Sequence, residues 1–243
     1  MAVDGNGTAA DGTAADGAAG VAAGFMALPG RTEQRREAFA ECLADAVRVL
    51  SLDLAPESES DDRGAWVSRV RTAVRKACRQ GLTVSGESFD ALVRAAVHDP
   101  DPSFNRVFLE PALNAFGRGR VQVALLGYLR TGTDLERAGA ARAWYWSALP
   151  LRMPGVQAEN GGAASRPETD DGSAVVTEWN EAALREFVSN EHVDVRRCIL
   201  PGLSLRKSVY PPELHDLVDA AVATARSHPD EYIRHRVEHQ VGD

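Results

Sequence analysis

A short phrase recurs along this chain: an acidic residue, then within a few positions an apolar residue and an arginine, then a helical apolar run. The copies are Asp101 with Phe104 and Arg106, Asp134 with Leu135 and Arg137, Asp194 with Val195 and Arg196, and Asp230 with Ile233 and Arg234. The arginines are spaced by 31, 59 and 38 residues, and removing a 21-residue polar loop at 153–173 from the middle interval leaves 38. A period of about 30–40 residues is the length of one helix–turn–helix unit. A hairpin of two amphipathic helices cannot bury its own apolar faces, so such units must stack on neighbours to form a core.

The rest of the pattern is also helical. Apolar residues recur at helical spacing over 31–51, 62–79, 86–97, 103–116, 119–130, 134–148, 174–189, 193–206, 211–227 and 230–240. No segment of any length alternates with a period of two, so strand content should be close to nil. Thr133 with Glu136 forms a capping-box pattern, and Pro211 and Pro229 sit near first-turn positions. Gly81 and Gly117 stand where helices should stop. Three stretches interrupt the helices: an Ala/Gly-rich tail over residues 1–30, an acidic break at 53–62, and the loop at 153–173. The tail composition cannot bury enough apolar surface to order itself and is expected to be disordered. The expected organisation is that tail followed by a single helical domain over 31–243 with a flexible loop.

Two copies of the phrase extend further. Arg106-Val-Phe-Leu-Glu-Pro111-Ala-Leu113 aligns with Arg196-Arg-Cys-Ile-Leu-Pro201-Gly-Leu203. Proline there removes an intrahelical bond and crowds the carbonyl four residues back, so both helices should bend. Together with Asp194-Val-Arg196 and Asp230-Glu-Tyr-Ile-Arg234, this resembles the HEAT-repeat family, in its short-repeat, phycobilisome-lyase-like branch, over about residues 86–240. The resemblance implies an all-α solenoid of helical hairpins in which aspartate and arginine bond between neighbouring repeats. It also implies an extended concave surface that binds a protein or peptide partner. Enzymes of the same architecture, DNA glycosylases for alkylated bases and bilin lyases, are the alternative it implies.

Candidate binding residues follow from composition. Trp144, Tyr145, Trp146 and Trp179 hold three of the four tryptophans, and residues two apart on a helix face nearly opposite ways, so Trp144 and Trp146 cannot share one core face. Trp144, Trp146 and Trp179, with Arg106, Arg196 and Arg234, are the candidate partner-binding set, since aromatic and arginine side chains anchor interfaces. Over 63–79, Trp66, Val67, Val70, Ala73, Val74 and Ala77 fall on one face. Arg69, Arg71, Arg75, Lys76 and Arg79 fill the remaining arc, with no acid between Arg63 and Arg79. This basic stripe could take phosphate or an acidic partner. The net charge of −8 disfavours nucleic acid overall.

No catalytic residue is assigned. Gly117-Arg118-Gly119 lacks the lysine and strand context of a phosphate loop, and no nucleophile elbow is present. His235-Arg-Val-Glu238-His239 has the form used by inverted zinc proteases, but too little chain follows to supply their third ligand, so neither metal nor cofactor is expected. Cys42, Cys78 and Cys198 are far apart and odd in number, which argues for buried hydrophobes rather than disulfides. Arginine and alanine excess with only two lysines, Lys76 and Lys207, fits a high-GC bacterial genome. The absence of a basic residue before Arg31, and of any apolar run of about 20 residues, leads to the expectation of a cytoplasmic protein with no membrane partner.

Overall fold

A computed structural model of the chain describes residues 32–55, 62–151, 157–158 and 171–241. The N-terminal tail and most of the 153–173 loop therefore lie outside the described residues. The fold is all-helical. Its helices are α1 (Glu33–Val49), α2 (Arg63–Arg79), α3 (Gly86–His98), α4 (Arg106–Phe116), α5 (Arg118–Thr131), α6 (Asp134–Ser147), α7 (Asp171–Ser189), α8 (Val193–Ile199), α9 (His215–Arg226) and α10 (Glu231–Val241). Among the described residues the only extended pairing is a two-residue parallel bridge, β1 (Thr83–Val84) with β2 (Gln157–Ala158).

Local chemistry sets the helix ends. Thr32, Asp62 and Ser85 accept backbone N–H bonds from the first turns of α1, α2 and α3. Thr133 and Glu136 close the full capping box of α6. Gly81 and Gly117 both adopt positive φ, at 84° and 80°, a region that costs glycine nothing. The two aligned prolines behave differently. Pro111 lies inside a continuous α4. After α8, the chain tightens into a 3-10 turn, Leu200–Gly202, containing Pro201, so the helix expected over 193–206 stops at Ile199. The start of the segment expected at 211 is likewise a 3-10 turn, Pro212–Leu214, ahead of α9.

The helices pack in a definite order. Each of α5, α7 and α9 packs on the helix that follows it; α5 lies against α7 and α7 against α9, while α6 lies against α8 and α8 against α10. Upstream, α1 packs on α3, α3 on both α4 and α6, and α2 on α4. One continuous core runs through the whole set, with Trp66, Phe108, Leu125, Leu184, Phe187 and Ile233 fully buried. Helices α3 and α6 approach closely at Gly139. A Cβ at Gly139 would stand 1.9 Å from the Val97 carbonyl oxygen. Among the described residues no helix is long and apolar enough to cross a membrane.

Candidate interaction surface

The repeated arginines are mostly turned to internal duties. Arg196 donates to the carbonyls of Phe187 and Val188 at 3.1 and 3.3 Å, closing the end of α7. Arg234 donates to the carbonyls of His228 and Pro229 at 2.6 and 2.7 Å. Each thus satisfies acceptors of the segment just before it, which a helix end otherwise leaves to water. Arg137 reaches Asp134 and Glu186, at 3.5 and 3.3 Å. Two other arginines tie a helix through an aspartate to the segment ahead of a later helix. Arg71 of α2 grips Asp99 ahead of α4, and Arg197 of α8 grips Asp230 ahead of α10 at 2.5 Å. Arg142 of α6 donates to the Asp99 carbonyl at 3.1 Å and to the Cys198 thiol at 3.5 Å.

Asp99 is the anchor of the loop between α3 and α4. Its side chain is fully buried, takes both oxygens to the Arg71 guanidinium at 2.6 and 2.7 Å, and accepts the Asp101 N–H at 2.9 Å. Burial pushes its carboxyl up to about 6, against the pull of Arg71. The folded chain therefore holds a proton between pH 3.8 and about 6 that the unfolded chain releases. This carboxyl's contribution to stability is full below 3.8 and is lost as the pH rises through about 6. Carbon-13 NMR of the Asp99 carboxyl should show a midpoint near 6. A midpoint at or below the ordinary 3.8 would mean that the Arg71 pair outweighs burial.

From this anchor a strip of arginines and aromatic rings runs across α2, the 99–105 loop and the end of α6. The Arg71 guanidinium lies 4.5 Å from the centroid of Phe104, and Arg75 lies 5.9 Å from the same ring. The Trp146 indole donates to the Pro102 carbonyl at 2.8 Å, which fastens the loop to α6. Arg106 sits 5.1 Å from the Trp146 ring while donating to Glu110 and to the Pro150 carbonyl. Tyr145 meets Trp146 edge-on at 5.2 Å. Phe104 remains 38% exposed and Tyr145 61%, so the strip presents two large rings to solvent. Neither was singled out from the sequence as a binding residue; exposure of an aromatic is a tertiary property.

The other candidates are placed as follows. Trp144 stacks flat on Trp179, centroids 3.9 Å apart and planes within 3°, and Trp179 is buried in the core. Trp144 and Trp146 do point to different surroundings, one to α7 and one to the 99–105 loop. Within the basic stripe, Arg71 is nearly enclosed and belongs to Asp99 rather than to solvent. Arg69 is exposed on the outer face of α2. Arg75, Lys76 and Arg79 form no ion pair among the described residues, and Lys76 and Arg79 are exposed. These three stand on the same helix as the ring contacts of Phe104.

The thiols offer little reactivity. Burial raises Cys42 and Cys78 to about 11, and it raises Cys198 as well, against the pull of Arg142. A cleft between α5 and α7, bordered by Arg130, Glu181, Arg185 and Glu186, is lined by mutually paired charges, Arg185 with Glu181 and Arg130 with Glu178. His98 and Glu136 approach to 3.7 Å, but burial lowers the histidine, so the contact is not an ion pair at neutral pH. Comparison with protein-family models, with curated proteins and with solved structures returns no match.

Proposed function

We propose that this chain is a protein-interaction scaffold, a HEAT-like solenoid of stacked helical hairpins, that binds an acidic, aromatic-containing segment of a partner protein across the strip from α2 to α6. The ordered packing of α5 to α10 and the aspartate–arginine links between hairpins support the solenoid reading. One observation carries the binding reading. On a chain of net charge −8, Arg75, Lys76 and Arg79 form no ion pair among the described residues, and Arg75 lies over the exposed Phe104. A segment with carboxylates for the cations and a ring for the Phe104–Tyr145 edge complements both features. The enzyme alternative on the same frame gains no support from Trp144 and Trp179, whose faces are spent on each other.

The test is fluorescence anisotropy with a labelled Glu-rich peptide carrying one phenylalanine. Binding should weaken with salt. Reversing Arg75, Lys76 and Arg79 to glutamate should reduce it by about tenfold or more, since three favourable surface charges become repulsive. Tyr145→Ala should weaken binding without altering its salt dependence. Equal affinity of the wild type and the triple variant would remove the strip from consideration. Tighter binding of a single-stranded oligonucleotide than of the peptide would shift the reading to nucleic acid.

A further inference from the structure

The two histidines of His235-Arg-Val-Glu238-His239 lie one turn apart on α10, on the exposed side opposite the buried Ile233 and Val237. Their rings meet at 65°, with centroids 4.5 Å apart and the two Nε2 atoms 3.2 Å apart. Two nitrogens at that separation subtend roughly 100° at an ion held by ordinary metal–imidazole bonds of about 2.0–2.1 Å. That is close to a tetrahedral angle. Without an ion, one Nε2 must carry a proton and donate it to the other. An ion takes that proton's place and uses both lone pairs.

We propose that His235 and His239 form a surface site for a first-row divalent transition ion, with the remaining coordination positions filled by water or by an outside donor. The ligand chemistry selects the ion. Two neutral imidazoles suit Cu2+, Ni2+ and Zn2+ and offer nothing to Mg2+ or Ca2+, which need oxygen. The site is not that of an inverted zinc protease. Glu238, the carboxylate such an enzyme would aim at the metal-bound water, is held by Arg226 of α9 at 3.1 Å. Among the described residues no group of three or more His, Cys, Asp or Glu side chains could hold a metal. The described residues thus leave the ion open positions, and its structural effect is to clamp one turn of the last helix.

The experiment titrates the full-length, metal-free chain with Cu2+, Ni2+, Zn2+ and Mg2+, followed by calorimetry and, for Cu2+, electron paramagnetic resonance. The expected result is one tight Cu2+ per chain, weaker Ni2+ and Zn2+, and no Mg2+ binding. The resonance spectrum should carry coupling to two imidazole nitrogens. His235→Ala and His239→Ala should each weaken binding by more than the roughly 10–100-fold that loss of an outer-shell partner costs. His192→Ala should leave binding unchanged. Both ring positions are exposed, so the variants should retain the wild-type circular dichroism, and Cu2+ should raise the melting temperature of the wild type only. Equal Cu2+ affinity in the wild type and the double variant, or loss on His192→Ala instead, would overturn the site.

Discussion

Replacing Gly139 by alanine should unfold or severely weaken this protein. Helix propensity alone argues the other way: alanine is better than glycine inside a helix by about 1 kcal/mol. Packing decides the sign. The added Cβ would meet the Val97 carbonyl oxygen at 1.9 Å, its carbon at 2.7 Å and a Val97 methyl at 3.0 Å. The obstructing atoms are mostly backbone, in the middle of the α3–α6 contact, so no rotamer change relieves them. Helices α3 and α6 must move apart, which opens the core around Ala96, Val97, Ala138 and Ala140. Overpacking of a well-filled core costs about 1–3 kcal/mol and more where backbone must shift, so the net loss should be at least about 2 kcal/mol. Urea denaturation would show it as a lower midpoint at unchanged slope. A midpoint equal to or above the wild type would mean that α3 and α6 do not approach as described. Gly119→Ala is the matched control. It has open space around it and should be neutral or mildly stabilising.

The second large effect is at Arg35. Its guanidinium donates to Asp194 at 2.5 Å, and both side chains are only 11% exposed. The pair joins α1 to α8, elements separated by 159 positions. Arg35→Met leaves the Asp194 carboxylate buried without its partner. Breaking a buried pair from one side costs about 3–5 kcal/mol, because the abandoned charge keeps its desolvation penalty. Adding Asp194→Leu should restore most of the loss, since a buried pair is worth little against apolar residues of similar volume. Chemical denaturation of the two single variants and the double variant measures this coupling. If Arg35→Met alone is neutral, α1 is not clasped to α8.

The strip on α2, the 99–105 loop and α6 depends on the same kind of buried charge. Asp99 holds Arg71, Arg71 backs Phe104, and the loop is fastened to Trp146. The exposed rings are thus mounted on a hydrogen-bonded bracket, which would lower the entropy lost in the binding proposed above.

Sequence reasoning separated two aspartates poorly at this point. Asp99 and Asp101 stand in the same Asp-Pro setting, and the repeated phrase selects Asp101. The buried role falls to Asp99, because only the position of α2 decides which carboxylate meets Arg71. The same holds for the arginines. Arg196 and Arg234 were recognisable as repeated, yet the carboxylate link from α8 to the start of α10 is made by Arg197, one residue along. A shift of one position rotates a side chain by about 100° on a helix, and composition carries no record of which direction faces a neighbour.

What the sequence determined by itself is local: where the helices lie and several of their ends. Thr133 with Glu136 closes a cap, and Gly81 and Gly117 take positive φ. The opposed outlook of Trp144 and Trp146 followed from helical geometry alone. Those features involve residues within a turn or two of one another, so their energies are set before any helix finds its neighbour. Only the tertiary structure decided that Arg35 answers Asp194, that Gly139 lies under Val97, and that Phe104 and Tyr145 stay in solvent. Each of these depends on how two distant helices pack, and that choice is made by the summed fit of many apolar side chains rather than by any one residue's own preference.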